Sequence, residues 1–292
     1  MLVRTICLGG GLVGGFAHLG FLKAISNHQP LCLVDTWVGC SIGAFVAMLC
    51  AIGYAPDEIY DKCVGLNESV FNFHSTGNIL TSFGIDEGEY IRAFLVDMLL
   101  DRGLPPGMTL GLLKSQKGKR LIACATNLTQ AETTYYTPET HPDRKLVDIV
   151  RTSIGFPFLL TATFQGEDIL LDGGMRDNFP LQYAMDDFTG RFPERDAALS
   201  VVGCNLVSPP PGKISDFMTY LLALAACVLG RYDSSNKDCC VNVPLSHSDA
   251  FNFNSPPPVR RKLFQAGYIA GENFITEGMQ RRKHRITRRR SI

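Results

Sequence analysis

Short apolar segments alternate with helix-forming segments along about the first 200 residues of the chain. Helices are predicted at residues 15–28 and 43–52, and from a cap-like start at Asp86 and Glu89 to about residue 100. Apolar runs typical of buried parallel strands lie at residues 3–8, 32–38, 121–125, 168–171 and 199–206. Strands that alternate with helices pair in the same direction, because each helix returns the chain to the edge where the last strand began. The sequence therefore predicts an α/β layered fold with a mainly parallel central sheet flanked by helices.

The composition is typical of a globular protein without a strong overall charge. Of 292 residues, 46% are hydrophobic, and 28 Lys and Arg balance 28 Asp and Glu. These values exclude a disordered or fibrous chain. No global positive field favours nucleic acid, so nucleic acid is not expected as a partner. The charge is uneven, because residues 281–292 hold seven Lys or Arg and no acidic residue.

The ten cysteines lie mostly inside apolar runs and form no CxxC pair, so we expect buried free thiols in a reducing compartment. A glycine-rich turn begins at Gly9 and leaves no room for the apolar core of a secretion signal. The longest apolar run, residues 217–230, is shorter than a membrane span and is expected to form a buried helix. We therefore expect an intracellular, cytoplasmic protein. Neither the cysteines nor the six histidines show metal-ligand spacing, so no metal or other cofactor is expected.

The first predicted strand leads into a glycine-rich turn. Gly9, Gly11 and Gly14 form a GxGxxG pattern between a strand and a helix, an arrangement that presents backbone N–H groups to an anion. One interpretation is a dinucleotide site, for which Asp35 would be the acidic residue near the end of the next strand. The residues that follow Asp35 favour a different chemistry.

The second strand leads into Gly39-Cys40-Ser41-Ile42-Gly43, a GxSxG pattern between a strand and an apolar helix. A nucleophile elbow holds its serine in a strained backbone conformation with Oγ exposed. Side chains two residues to either side would collide with the strand and the helix, which is why glycine suits both positions. The pattern predicts that Ser41 is a nucleophile.

A third cluster, Asp172-Gly173-Gly174, ends an apolar strand with a carboxylate that could accept the proton of Ser41. By itself it is also typical of an ordinary turn. Together the three clusters resemble the patatin-like phospholipase family over about the first 185 residues. The resemblance includes His18-Leu19-Gly20-Phe21-Leu22, Ala125-Thr126-Asn127-Leu128, Arg151-Thr152-Ser153 ahead of Pro157, and the continuation Met175-Arg176-Asp177-Asn178-Phe179-Pro180.

The resemblance implies a lipid acyl hydrolase of phospholipase A type. In that family a serine and an aspartate form a dyad without histidine, and these would be Ser41 and Asp172 here. Gly9, Gly10 and Gly11 would supply the oxyanion hole. The family usually has Arg or Lys shortly after its three glycines, whereas this chain has Leu12-Val13-Gly14-Gly15 and a turn one residue longer. Which of the four glycines, Gly14 included, direct N–H groups at the oxyanion is therefore open.

The resemblance also divides the chain. Residues 1–185 would form the catalytic core, and residues 186–280 would complete the same globule with a strand and helices. Residues 281–292 would form a basic, disordered tail. We expect peripheral contact with a membrane surface, to which the Arg281 to Arg290 segment could contribute, and nuclear import is another interpretation of that segment.

Two alternatives remain for the function. An α/β-hydrolase esterase would use a triad of Ser41, Asp172 and His247, since that fold has the same chain order. A catalytically inactive relative would bind lipid without cleaving it. His18 is expected to pack at the start of its helix, with a functional role as the other interpretation.

Overall fold

The fold is built on one large mixed sheet with helices on both faces. A computed structural model describes residues 2–66, 81–207, 239–246 and 255–290, with residues 214, 220, 223 and 224. Within the last helix, side chains are described as far as Gly278. The strands are β1 (Thr5–Leu8), β2 (Thr36–Cys40), β3 (Gly84–Asp86), β4 (Arg120–Asn127), β5 (Glu132–Tyr136), β6 (Phe158–Leu160), β7 (Thr163–Gln165), β8 (Asp168–Asp172), β9 (Val201–Val207) and β10 (Cys240–Pro244). The helices are α1 (Gly15–His28), α2 (Ile42–Ala51), α3 (Pro56–Cys63), α4 (Glu89–Asp101), α5 (Leu110–Lys117), α6 (Leu146–Ser153), α7 (Leu181–Arg191) and α8 (Pro257–Arg290).

The main sheet has the strand order β10-β9-β1-β2-β4-β8-β7, and β5 also pairs with β4. The five strands from β10 to β4 are parallel, whereas β8, β7 and β5 are antiparallel to their neighbours. The predicted α/β class with a mainly parallel sheet is therefore confirmed. A small second sheet joins β3 to β6.

The prediction that residues 168–171 form a parallel strand is wrong, because β8 runs against β4 with Ala125 opposite Asp172. The physical reason lies in the pairing. β8 joins only the last three residues of β4 and then runs back toward Cys124, which lies beside Cys40 of β2. This direction brings the end of β8 to the edge of the sheet where β2 ends.

The second predicted strand also begins later than the apolar run suggested. After Pro30, residues Leu31–Leu33 form a 3-10 turn, and β2 starts at Thr36, opposite Thr5 of β1. Helix α1 has the predicted bounds. Helix α4 begins after Gly88, which has a φ of 77°, and the Asp86 carboxylate accepts the Gly88 N–H instead of capping the helix directly.

Helix α8 packs along α1 on one face of the sheet, as expected for a further helix after residue 256. A Cβ at Gly20 would lie 1.8 Å from the carbonyl oxygen of Phe264, and one at Gly267 equally close to that of Ala17. The two helices therefore approach at backbone contact distance. The backbone of α8 continues to Arg290, where we expected a disordered tail. The division of the chain into core, completing segment and tail stays a prediction.

Cysteine burial largely follows the expectation. The nine cysteines in the described part of the chain are free thiols, and all of them except Cys32 are buried. None of the helices in the described residues is long and apolar enough to cross a membrane. The predicted buried helix at residues 217–230 lies almost entirely outside the described residues.

Candidate active site

Ser41 lies between the end of β2 and the first residue of α2. Its backbone has φ 52° and ψ −125°, a conformation that residues with a side chain rarely adopt. Such strain persists only where the surrounding structure imposes it, and it occurs most often at functional sites. The Ser41 N–H donates to Ser153 Oγ at 3.0 Å, so the turn is also held from α6.

The two glycines that flank the turn allow very close packing. A Cβ at Gly39 would lie 2.4 Å from the Ala44 nitrogen, and one at Gly43 would lie 2.1 Å from the Leu8 carbonyl oxygen. Real Cβ atoms do not approach backbone this closely. The steric requirement that the GxSxG pattern implied is therefore present at both positions.

Gly43→Ala is expected to lower the free energy of unfolding by at least about 2 kcal/mol, since the added methyl group must displace the backbone of β1 or α2. Urea unfolding monitored by circular dichroism measures the change. Gly107→Ala is the matched control, because nothing lies within 4 Å of a Cβ at that exposed position. It is expected to change stability by less than about 0.5 kcal/mol. Equal midpoints for the two variants would contradict the packing argument.

Asp172 is the last residue of β8, and its side chain contacts Ser41 directly. The Ser41 hydroxyl donates to Asp172 Oδ2 at 2.6 Å, and the Gly174 N–H donates to Oδ1 at 2.7 Å. Gly173 packs on β4, where a Cβ would lie 2.5 Å from the Cys124 carbonyl oxygen. The glycine pair thus lets the turn after β8 lie against β4, with one carboxylate oxygen toward Ser41 and the other held by the turn.

Burial changes the acidity of this carboxyl group. Asp172 is 4% exposed. Loss of water raises its pKa to about 6, although the hydrogen bonds from Ser41 and Gly174 act in the opposite direction. A carboxylate with this pKa is still ionised at neutral pH and is a stronger base than an ordinary aspartate. The pair is therefore suited to transfer of the Ser41 proton to Asp172.

The glycine-rich turn lies beside the nucleophile, but three of its four candidate N–H groups already bond within the protein. Gly9 N–H donates to Cys204 O at 3.0 Å, Gly10 N–H to Asn178 O at 2.8 Å, and Gly14 N–H to Gly11 O at 2.8 Å. Within the described residues, the Gly11 N–H has no hydrogen-bond partner. Gly10 is nevertheless close to Ser41, since a Cβ there would lie 3.3 Å from the Ser41 Cβ. The geometry singles out Gly11 as the available donor of the four.

Sequence reasoning assigned no role to two residues that position the site. Ser153 accepts the Ser41 N–H, and Asn178 holds the glycine turn through its carbonyl oxygen and, at 3.4 Å, through its amide Nδ2 to Gly10 O. Both lie in segments that carried the family resemblance. The sequence thus marked the segments, but contacts between residues more than 100 positions apart required the fold.

Ser41 lines an apolar cavity of about 190 Å³. Its wall combines side chains of α1, α2 and α3 with the segment after α6, and Arg260 of α8 also borders it. Representative wall residues are Phe16, Leu19, Phe45, Ile59 and Phe156. A cavity with this lining suits a hydrocarbon chain, which gains free energy on leaving water.

The dinucleotide interpretation does not fit the structure. Asp35 precedes β2, and its carboxylate pairs with Arg4 at 2.7 Å. Because β1 and β2 are parallel, Asp35 lies at the edge of the sheet opposite the glycine turn, which follows the end of β1. It was expected near the end of the strand but lies before its start, so it cannot approach a ligand bound at the turn.

Comparison with known proteins assigns the chain to a family. The family model for patatin-like phospholipases matches residues 6–185. The chain belongs to the patatin-like phospholipase family. The matched range includes the glycine turn, Ser41 and Asp172, and the α/β-hydrolase alternative is therefore set aside as a family assignment. His247 of the alternative triad lies outside the described residues.

Three curated relatives have similar sequence identity to this chain but match different shares of its length and of their own. An uncharacterized protein of Acanthamoeba polyphaga mimivirus is 28% identical over 284 residues, covering 91% of each chain. A probable lipid hydrolase of Invertebrate iridescent virus 6 is 27% identical over 62% of this chain and 63% of its own length. A lysophospholipase of Meyerozyma guilliermondii is 28% identical over 60% of this chain and 11% of its own length. The chain thus matches less than two thirds of the two named hydrolases.

Solved structures share the fold at low identity. VipD of Legionella pneumophila has a TM-score of 0.71 and 15% identity, covering 95% of this chain and 67% of VipD. ExoU of Pseudomonas aeruginosa, in complex with SpcU, has a TM-score of 0.54 and 15% identity, covering 95% of this chain and 53% of ExoU. The similarity to these structures supports the fold assignment.

Proposed function

We propose that the protein is a lipid acyl hydrolase of phospholipase A type that cleaves carboxylic esters through Ser41 and Asp172. The observation that carries the proposal is the 2.6 Å hydrogen bond from Ser41 Oγ to a buried carboxylate, beside an apolar cavity that Ser41 lines. Family membership and the relative named as a probable lipid hydrolase support the same substrate class. An inactive lipid-binding relative would not need this pair in contact.

The chemistry follows from the positions of these groups. As Ser41 Oγ attacks the ester carbonyl carbon, its proton passes to Asp172 Oδ2, and the carbonyl oxygen takes up the negative charge. The Gly11 N–H would donate to that oxygen, an interaction typically worth about 3 kcal/mol. Collapse of the tetrahedral intermediate releases the alcohol, which takes the proton from Asp172. Water then attacks the acyl-enzyme, losing a proton to Asp172, and Ser41 is regenerated with release of the fatty acid.

The substrate is proposed to place one acyl chain in the cavity beside Ser41. The walls are apolar, and the turn from Gly9 to Gly15 carries no Lys or Arg to hold a phosphate. Hydrocarbon burial, rather than a charge contact at this turn, would therefore supply most of the binding free energy. The head group and the acyl position are left to experiment.

Product analysis tests the proposed function. The purified protein is incubated with mixed phospholipids, triacylglycerol and lysophospholipid, and the released products are identified by mass spectrometry. Fatty acid release from one or more of these lipids by the parent protein, and not by Ser41→Ala, is expected. Fatty acid release that persists in Ser41→Ala would overturn the assignment, as would a parent protein that binds vesicles without releasing any fatty acid.

The basic segment at residues 281–290 is proposed to contact an anionic membrane surface that presents the lipid substrate. Truncation after Gln280 removes seven Lys or Arg and is expected to weaken binding to anionic vesicles, with hydrolysis of a soluble short-chain ester unchanged. Vesicle binding by the full chain should also fall as salt is added, because the charges are screened. Flotation assays of both chains measure the difference. Equal binding with and without the segment would remove the membrane proposal and make nuclear import the next one to test.

A further inference from the structure

His18 is a buried polar side chain that the proposed reaction does not use. It lies in the first turn of α1, is 0% exposed, and its Nε2 is 2.7 Å from the Gly9 carbonyl oxygen. A carbonyl oxygen only accepts hydrogen bonds, so Nε2 carries the proton. Burial lowers the pKa of His18 to about 4, and the ring is therefore neutral at the pH of catalysis.

Packing alone does not account for an imidazole at this position. In the described part of the structure, His18 Nδ1 is buried and has no hydrogen-bond partner. A buried acceptor without a partner typically costs about 1–3 kcal/mol, which an apolar side chain of similar volume would avoid. The ring therefore carries a cost in stability, and what it supplies in exchange is the hydrogen bond to Gly9.

That hydrogen bond fixes one peptide plane at the start of the glycine turn. The Gly9–Gly10 peptide is held at its oxygen by His18 Nε2–H and at its nitrogen by Asn178 O, which accepts the Gly10 N–H at 2.8 Å. The next peptide has its oxygen toward Asn178 Nδ2, at 3.4 Å. Because a trans peptide directs its N–H opposite to its C=O, the Gly11 N–H is turned away from Asn178.

We infer that His18 is a positioning residue, which holds the glycine turn so that the Gly11 N–H stays available to the oxyanion. The inference rests on the proposed function. Three consecutive glycines have wide conformational freedom and do not hold one arrangement without external contacts. Loss of the Nε2–H bond would leave the buried Gly9 carbonyl without this donor, and the first peptide of the turn would then be held only at its nitrogen, by Asn178 O.

The test compares His18→Gln with His18→Leu in steady-state hydrolysis of a soluble short-chain ester. Glutamine places an amide N–H near the position of the histidine Nε2, whereas leucine fills similar space without a donor. We expect His18→Leu to lower kcat by about 10- to 100-fold with KM within about threefold, since an oxyanion contact acts in the transition state. His18→Gln should recover most of the lost kcat.

Stability and pH dependence separate positioning from a structural or acid-base role. His18→Leu is expected to unfold at nearly the temperature of the parent, because it removes one buried acceptor without a partner, Nδ1, and leaves another, the Gly9 carbonyl oxygen, without its donor. The pH midpoint of its residual activity should stay near that of the parent, since His18 does not titrate in that range. A folded His18→Leu with kcat within threefold of the parent would overturn the inference. Equal losses in the Leu and Gln variants would do the same, because only shape would then matter.

Two further variants cover the case in which His18→Leu does not fold and separate the role of His18 from the proposed function. If His18→Leu does not fold, His18→Asn replaces it, since its shorter amide is polar but does not reach Gly9. Comparable kcat for the Asn and Gln variants would then overturn the inference. Ser41→Ala is assayed alongside. Turnover that persists in Ser41→Ala would remove the proposed function itself, whereas an inactive Ser41→Ala with a fully active His18→Leu would remove only the role of His18.

Discussion

Ser41→Ala is expected to lower ester hydrolysis by at least about 10⁴-fold and to abolish labelling by a fluorophosphonate ester. The alanine variant has no atom to attack the carbonyl, and Ser41 is the one hydroxyl that donates to Asp172 among the described residues. Only an activated serine reacts rapidly with a fluorophosphonate. Intact-protein mass spectrometry, followed by peptide mapping, measures both the extent of labelling and the residue that is modified.

Ser153→Ala is the matched control for this experiment. Ser153 is also buried, and its Oγ accepts the Ser41 N–H, but among the described contacts it forms no hydrogen bond with Asp172. We expect the label to stay on Ser41 in this variant, at a reduced rate, because the turn loses one hydrogen bond. Labelling that persists in Ser41→Ala would exclude Ser41 as the nucleophile. A label found on Ser153 instead of Ser41 in the parent protein would do the same.

The local patterns that predicted the candidate site residues lie at the ends of strands. Helix α1 has the predicted bounds, and the GxSxG turn required glycine at Gly39 and Gly43 for steric reasons that act within a few residues. The strand-end position of Asp172 made it a candidate proton acceptor for Ser41, and the family resemblance implied that the two residues form a dyad. Nothing in the spacing of two residues 131 positions apart requires a hydrogen bond.

The sequence could not predict features that depend on contacts between distant segments. The direction of β8 depends on its pairing with β4, and an apolar run of this length is the same in a parallel or an antiparallel strand. The choice among the turn glycines likewise depended on carbonyl oxygens of Cys204 and Asn178, which come from distant segments. Asp35 was misplaced because its strand starts four residues later than the apolar run.

Asp172→Asn is expected to lower kcat by about 10²- to 10⁴-fold while keeping the shape of the site, because it removes the proton acceptor. In the parent, activity should rise with pH through a midpoint near the pKa of about 6, since only the ionised carboxylate accepts the Ser41 proton. The residual activity of the variant should lose this midpoint. Rates between pH 4.5 and 8 on a soluble ester measure both effects.

Asp172→Asn is expected to lower kcat but to raise the free energy of unfolding. The stability measurement therefore shows whether a loss of activity comes from unfolding. Burial raises the pKa of Asp172 from its ordinary value of 3.8 to about 6 in the folded protein, so the folded state holds the proton more tightly. Its contribution to stability is therefore present below about pH 4 and is lost as pH rises to about 6, a change of about 3 kcal/mol. As pH rises between these values, the unfolding free energy of the parent should fall relative to that of Asp172→Asn, because asparagine does not ionise. A variant less stable than the parent at pH 8 would show that the carboxylate mainly holds the turn.

His247 decides between a dyad and a triad. With Asp172 as the only base, His247→Ala should change kcat by less than about threefold, because no proton passes through it. In a triad the histidine takes the proton and the aspartate orients it, so His247→Ala would be about as damaging as the loss of the nucleophile. The direct contact of Ser41 Oγ with Asp172 Oδ2 leaves no space for an imidazole between them. A folded His247→Ala protein that is nearly inactive would therefore refute the dyad and require Ser41 to adopt a different rotamer during catalysis.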